Sequence, residues 1–436
     1  MLRFGTDGVR GVAFTELTEQ YVAELGMVAA RELGVTKVLI GRDTRESGKQ
    51  LETALANGLL AGGVSVELLG VAPTPAIAFL AAKRGCASAA ITASHNPYLD
   101  NGVKLFANGG VKLSDAQQDA IESHMTGSAT VASAPATQVD LLGEYASHIV
   151  GLFPVLAFAN IRVVLDCANG AMSDVAPEVF ARLGATVIVL NDRPNGKNIN
   201  EGCGATHPEV VSEAVRLHKA DLGLAFDGDG DRVIAVDHIG DVVDGDHLIA
   251  LAAVDLHKRG KLKSNSVAVT VMTNAGFHQA MDKAGINVIT TPVGDRNILV
   301  AFDEHGLVLG GEQSGHIIYR DHATTGDGLL AGAMLVDLVR REAQPLATLA
   351  RNAMTSLPQT LINIRVAQVV SNPAEQLAAE IAKATQQLNG VGRVLLRASG
   401  TEPVVRVMVE AATQETADAV AQGLAEVASQ RFGGVR

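Results

Sequence analysis

Tryptophan is absent from this 436-residue chain, and aromatic residues make up only 3% of it. Stacking an aromatic face on a ring-shaped ligand is therefore not a main binding device here. Cysteine is scarce as well. Cys86, Cys167 and Cys203 are odd in number, lie far apart and form no Cys-x-x-Cys pair. That pattern suggests a reducing compartment. No block of lysine and arginine stands out, and the net charge is −12, so nucleic-acid binding through a basic face is not expected. No apolar run is long enough to span a bilayer, and no basic-then-apolar leader opens the sequence. The expected location is the cytoplasm, with no membrane partner.

What is present points to several packed domains. The length is too great for one ordinary core, and an apolar content of 47% supports folded units throughout. The single biased stretch, Thr126 to Thr137, reads as a surface loop. A pattern recurs three times: a strand, a helix, then a short apolar strand that empties into a polar loop. Lys37 to Gly41 and Ala87 to Thr92 are the strands of the first unit, with Lys49 to Leu60 as a helix. Arg162 to Asp166 and Leu222 to Phe226 form the second, and Val267 to Val271 and Leu307 to Leu309 the third. Alternating strands and helices imply α/β layers around a largely parallel sheet. From Pro358 onward the order becomes β-α-β-β-α, a small α+β domain. The expected fold is α/β, with three similar domains of mixed sheet (1–150, 151–245, 246–355) and a small α+β domain (356–436). Their loops would converge on a central cleft, with Asn352 to Leu357 as a hinge.

Four loops carry the chemistry. The first, Thr92-Ala93-Ser94-His95-Asn96-Pro97, places one serine at the C-terminal end of an apolar strand, where α/β sheets keep their active groups. The second, Asp227-Gly228-Asp229-Gly230-Asp231-Arg232, alternates three carboxylates with glycines that let the backbone curl tightly. Three such carboxylates repel and raise one another's pKa unless a divalent cation joins them, and an all-oxygen set favours Mg²⁺, Ca²⁺ or Mn²⁺. An EF-hand is excluded: its sixth position holds Arg232 instead of glycine, and its twelfth holds His238 instead of glutamate. The third loop, Gly311-Glu312-Gln313-Ser314-Gly315-His316, suits a polyhydroxylated ligand. The fourth, Arg397-Ala398-Ser399-Gly400-Thr401, with Arg406 beyond it, offers hydroxyls, a glycine and two guanidinium forks to a phosphate. Against a negative chain, phosphorylated ligands need local cations, for which Arg10, Lys104, Arg232, Arg397 and Arg406 are the candidates.

In this order the four loops resemble the α-D-phosphohexomutase superfamily, as does the opening Phe4-Gly5-Thr6-Asp7-Gly8-Val9-Arg10-Gly11. The sugar loop, with Gln313, is most similar to the branch that acts on glucosamine phosphates. The resemblance implies isomerisation of glucosamine 6-phosphate to glucosamine 1-phosphate through a glucosamine 1,6-bisphosphate intermediate, feeding amino-sugar precursor synthesis. Ser94 would act as phosphoserine, with one Mg²⁺ on Asp227, Asp229, Asp231 and an oxygen of the Ser94 group. Arg10 and Arg232 would contact the phosphoryl group, and His95 would orient it. Lys104 would be the general base, its pKa lowered by burial and nearby cations. Glu312, Ser314 and His316 would hold the sugar. Arg397, Ser399, Gly400, Thr401 and Arg406 would hold the distal phosphate. Some relatives carry a histidine after Val293-Gly294, where this chain has Asp295, so that histidine's role does not transfer. A sibling mutase for mannose or glucose phosphates and a non-catalytic sugar-phosphate sensor are the rival readings. The partner is a small phosphosugar, and any assembly is expected to be a homodimer.

Overall fold

The computed structural model describes residues 2–5, 8–128, 136–368, 370–398 and 403–434. Thr6 and Asp7 of the opening signature lie outside the described residues, as does most of the Thr126–Thr137 stretch. So do Ser399, Gly400 and Thr401 of the expected phosphate loop. The chain forms two compact units, one of residues 1–272 and 284–353, the other of residues 273–283 and 354–436.

The first unit repeats one sheet topology three times. In its first sheet, Lys37–Arg42 pairs in parallel with Ser65–Val71 on one side and Ala87–Ile91 on the other, and Ala87–Ile91 then pairs antiparallel with Asp100–Ala107. In the second, Arg162–Asp166 is parallel to Thr186–Leu190 and Leu222–Phe226, and the latter is antiparallel to Val233–Asp237. In the third, Ser266–Thr270 is parallel to Asn287–Thr291 and Leu309–Gly311, and the latter is antiparallel to Ile317–Tyr319. Strands buried on both faces read as continuous apolar runs, and Ala87–Ile91 and Leu222–Phe226 are buried at every position. Each time, the loop joining the last parallel strand to its antiparallel neighbour is one of the polar loops singled out above. The third such strand begins two residues later than its sequence suggests, because Leu307 and Val308 lead into it and Gly310 and Gly311 complete it.

Helices cover the sheets. Glu19–Glu32 starts at Thr18, whose hydroxyl accepts the Tyr21 N–H, and it packs along Gly48–Ala61. The approach is so close that a Cβ on Gly58 would lie 1.8 Å from the Ala23 carbonyl oxygen, so only glycine fits.

The second unit is a three-stranded antiparallel sheet in the order Gln359–Arg365, Val404–Ala411, Gly392–Ala398, covered by Ala378–Gln387 and Gln414–Phe432. The helix Ala275–Lys283, expected in the third α/β domain, packs with this unit. The cause is Glu410, which is fully buried and accepts from Arg393 Nε (2.9 Å), Arg393 Nη2 (3.0 Å) and the Ala275 amide (2.8 Å).

One buried polar link inside the first unit bears on the second polar loop. The Tyr145 hydroxyl, on helix Leu142–Gly151, donates to the Asp327 carboxylate (2.8 and 2.9 Å to its two oxygens). Asp327 caps helix Gly328–Glu342 by accepting the Leu330 amide, and the Gly328 amide donates to the Gly230 carbonyl at 3.0 Å. Burial lifts the Asp327 carboxyl to about 6, although the Leu330 amide and the Tyr145 hydroxyl pull it down. A group raised in the folded state contributes its stability in full below the unfolded pKa, and loses it as pH rises through about 6. Above that pH the carboxylate depends on its donors. Tyr145→Phe is therefore expected to destabilise the protein by about 1–3 kcal/mol at pH 7.5 and by clearly less at pH 5. Denaturant titrations of both proteins at both pH values decide it, and an equal loss at the two would contradict the assignment.

Candidate active site

Ser94 lies in the loop after Ala87–Ile91 with a left-handed backbone, φ +53°, and its side chain is fully buried. Groups from two sheets close over it. Its hydroxyl donates to Asp227 Oδ2 at 2.6 Å, and His95 Nδ1 lies 3.2 Å from the same oxygen. A left-handed conformation costs a residue other than glycine about 1–2 kcal/mol, so the surroundings must hold it.

Asp227, Asp229 and Asp231 are all buried, and each brings a carboxylate oxygen within 4.8 Å of the others. Glycine at 230, φ +72°, lets the loop fold back at this radius. Burial first, then Asp231 and Asp229, push the Asp227 carboxyl well up. Burial acts in the same direction on Asp231, but Lys104, His316 and Arg232 outweigh it and hold that carboxyl well down. Lys104, which stands opposite Ala90 across the first sheet, is buried and reaches Asp229 Oδ2 (2.8 Å) and Asp231 Oδ2 (2.7 Å). The groups nearest Lys104 Nζ are therefore carboxylates, where the sequence reading expected cations. The Thr74 hydroxyl also donates to Asp229 Oδ2 (2.5 Å), and the Thr74 amide donates to the Asp229 carbonyl (2.9 Å). Asp229 Oδ1 remains buried with no hydrogen-bond partner among the described residues.

This donor set fits a divalent cation. It is all oxygen, carries three negative charges and leaves a buried oxygen unsatisfied. The contact at Ser94 points the same way. A free hydroxyl donates to Asp227, but a phosphoserine has no proton to give, so two anions would meet unless a cation stood between them.

Cations border the site. Arg10 lies opposite Gly102 on the edge strand Val9–Val12. Arg232 donates its amide to Asp227 Oδ1 (3.1 Å) and holds Nε 3.8 Å from Asp231 Oδ1. Burial first, then Arg232 and Arg10, lower the His95 imidazole to about 4, so it is neutral at pH 7. A neutral ring beside Ser94 Oγ orients that oxygen without adding charge.

The third loop divides its expected residues. Ser314 is exposed, and Glu312 is half-buried with Oε1 accepting the Gly294 amide at 3.1 Å. His316, expected to face a sugar, turns the other way. It is buried, with Nδ1 3.7 Å from Asp231 Oδ1 and Nε2 3.3 Å from Asp295 Oδ2, and Lys112 Nζ is 2.6 Å from that same Asp295 oxygen. Burial alone would lower this imidazole, but the two carboxylates raise it to about 10. The Gly326 amide also points at Nε2 (3.1 Å), a contact that suits a neutral ring. Between two buried carboxylates the imidazolium is the better-paired form, with Asp295 taking the Nε2 proton. Asp295, set aside above because it replaces a histidine, is thus half of the frame behind Asp231.

In the second unit, Arg397 and Arg406 are directly opposed in the antiparallel pairing of Gly392–Ala398 with Val404–Ala411. Burial, then Arg406, lowers Arg397. Like charges directly opposite on a sheet destabilise it, and a bound anion would relieve them.

Sequence reasoning missed Asp43, Arg45, Thr74 and Asn200. Asp43-Thr44-Arg45 follows strand Lys37–Arg42, so attention to every strand end would have found two of them.

Models of phosphoglucomutase/phosphomannomutase match the chain in four consecutive parts: alpha/beta/alpha domain I over residues 1–131, domain II over 143–240, domain III over 244–357 and the C-terminal domain over 361–427. Phosphoglucosamine mutase of Frankia casuarinae is 48% identical, with 97% of each chain covered. That of Thermobifida fusca is 47% identical with the same coverage. A putative phosphomannomutase of Thermus thermophilus shares the fold at a TM-score of 0.83 and 24% identity, over 98% of each chain. N-acetylphosphoglucosamine mutase of Aspergillus fumigatus, solved with GlcNAc-6P and magnesium, shares it at a TM-score of 0.68 and 18% identity, over 99% of this chain and 96% of that one.

Asp229→Asn removes one of the three charges and one partner of Lys104 Nζ. Mn²⁺ binding read by electron paramagnetic resonance is expected to weaken by about 10–100-fold while the fold is kept. Unchanged Mn²⁺ affinity would show that the cation does not bind at this cluster.

Proposed function

The chain belongs to the phosphoglucomutase/phosphomannomutase family, and we infer that it is a phosphoglucosamine mutase that interconverts glucosamine 6-phosphate and glucosamine 1-phosphate. The observation that carries the mechanism is the buried Ser94 hydroxyl, 2.6 Å from a carboxylate of the three-aspartate cluster. A serine so placed works as a phosphoryl carrier.

The donor is phosphoserine at Ser94. A sugar hydroxyl attacks the phosphorus, the bond from phosphorus to Ser94 Oγ breaks, and a new P–O bond to the sugar forms. The product of this half is glucosamine 1,6-bisphosphate. After the intermediate turns end for end, Ser94 Oγ attacks the phosphorus of its 6-phosphate, the bond from that phosphorus to the sugar oxygen breaks, the proton lost by the serine hydroxyl passes to that sugar oxygen, and glucosamine 1-phosphate leaves with the phosphoserine restored. Asp227, Asp229 and Asp231, with an oxygen of the Ser94 phosphoryl group, would hold Mg²⁺, which when bound would supply Lewis-acid stabilisation of the transferring group.

The remaining roles fall to the chain's own groups. Arg10 and Arg232 neutralise the phosphoryl oxygens. His95 orients Ser94 Oγ. Lys104, held as an ammonium between Asp229 and Asp231, gives a proton to the departing serine oxygen and recovers one from the attacking hydroxyl. Glu312 keeps Oε2 for the ring hydroxyls, and Ser314 adds a hydroxyl from the loop tip. His316 acts through Asp231 and is a positioning residue. Arg397 and Arg406, with Ser399, Gly400 and Thr401 of the same loop, take the phosphate that is not being transferred. The three cysteines are free and buried, as suits work in the reducing cytoplasm.

The test is turnover of glucosamine 6-phosphate compared with mannose and glucose phosphates, together with peptide mapping of phosphate in the purified protein. Glucosamine 6-phosphate is expected to be the best substrate, with phosphate at Ser94. Ser94→Ala should fold normally and lose more than about 1,000-fold in kcat, since its covalent carrier is gone. Activity retained in Ser94→Ala, or phosphate mapped only elsewhere, would overturn the mechanism. Faster turnover of mannose phosphates would overturn the substrate assignment alone.

A further inference from the structure

Arg45 is among the largest fully buried side chains in the protein, yet it touches none of the metal-loop carboxylates in any hydrogen bond or ion pair the structure describes. Every N–H of its guanidinium has a partner. Nε donates to Asp43 Oδ2 (2.9 Å). Nη1 donates to the carbonyls of Pro97 and Asp100 (2.9 Å to the latter). Nη2 donates to the carbonyls of Ser94 (2.9 Å) and Asn96 (2.8 Å). Four of the five donors thus fix one loop, residues 94–100.

The other side of Ser94 ends on the same ion pair. The Ser94 amide donates to Thr92 Oγ1 (2.9 Å), and the Thr92 hydroxyl donates to Asp43 Oδ2 (2.7 Å). Asn200, from the second repeat, adds Nδ2 to the carbonyls of Ser94 (2.8 Å) and Asn96 (3.1 Å). A Cβ on Gly228 would lie 2.7 Å from the Ser94 oxygen, so the metal loop is seated against the same carbonyl. The backbone thus held is the left-handed one at Ser94, which a serine does not adopt unaided.

We propose that Arg45 is the positioning residue for phosphoryl transfer: its five-donor fork locks the 94–100 loop in the strained conformation that aims Ser94 Oγ at Asp227. The proposal rests on the function given above. A lysine cannot replace this fork, because its three protons radiate from one nitrogen and cannot span acceptors spread around the rim of a planar guanidinium. Without the fork the loop relaxes and the serine oxygen drifts. Groups that bind the sugar and the distal phosphate are untouched, so the loss falls on kcat and not on KM.

The experiment uses the full chain as wild type, Arg45→Lys and Arg45→Gln. Measured are kcat per phosphorylated molecule, KM for glucosamine 6-phosphate, Mn²⁺ affinity, and amide hydrogen exchange of residues 93–100. In both variants kcat is expected to fall by about 100-fold, with KM and the Mn²⁺ affinity of the unphosphorylated protein changing by less than about threefold and exchange in the loop clearly faster. An unchanged kcat would overturn the proposal, and so would losses in kcat, KM and Mn²⁺ affinity that move together with the folded fraction. If the Arg45 variants do not fold, Asn200→Ala makes the same test through the second clamp, with the same split between kcat and KM expected and its absence decisive. Wild-type turnover separates the two claims. A wild type inactive on glucosamine 6-phosphate contradicts the substrate, whereas loop exchange unaltered in the variants contradicts the clamp.

Discussion

Three carboxylates buried within 4.8 Å of one another are the constraint on which the rest of the site depends. Burial removes the solvent that would screen them, and unpaired charge in such a place costs several kcal/mol per ion. The chain places Lys104 between Asp229 and Asp231, and the Thr74 hydroxyl on Asp229. His316 stands behind Asp231, itself held by Asp295. Lys104 reaches two of the three carboxylates, and a divalent cation would join all three. The geometry thus calls for the ion that phosphoryl transfer also needs. Ser94 is placed at the edge of that cluster, where its hydroxyl donates to Asp227, and in the proposed function its phosphorylated form would be a further ligand.

The fold brings these groups together by repetition. One sheet topology, used three times, ends each time in a loop between a parallel strand and an antiparallel one. Those loops carry Ser94, the three aspartates and Glu312. Strand ends are where backbone groups leave the ladder and side chains are free to face a ligand. This much was legible in the sequence, because buried parallel strands read as short apolar runs and the polar residues that follow them stand out. Ala87 to Thr92 and Leu222 to Phe226 show it most clearly. The first ends one residue early in the structure, and the second spans the same residues.

Other parts were not legible, for definable reasons. Arg45 carries no local signal of burial, since an arginine after a strand reads as solvated until five carbonyl and carboxylate partners surround it. Four of those partners lie about fifty residues further along the chain. Asn200 acts across repeats, and its contact with the Ser94 carbonyl spans 106 positions. His316 sits in a loop that suggests sugar binding by composition, but its side chain is drawn inward by Asp231 and by Asp295 from a different loop. Lys104 was singled out, but its neighbours were misjudged, because strand register decides which side chains meet and the motif alone does not show it. Helix Ala275–Lys283 followed the same rule: a buried glutamate 135 positions away, Glu410, determines which unit it joins.

The central claim is that the phosphoryl group on Ser94 and the divalent cation share one site. ³¹P NMR of the purified phosphoprotein tests it most directly, with Mg²⁺ exchanged for one equivalent of Mn²⁺. Ligation within one shared site predicts a single phosphoserine resonance that broadens beyond detection on addition of Mn²⁺ and returns when Mg²⁺ displaces it. A phosphoserine line that stays narrow with Mn²⁺ bound would contradict the account.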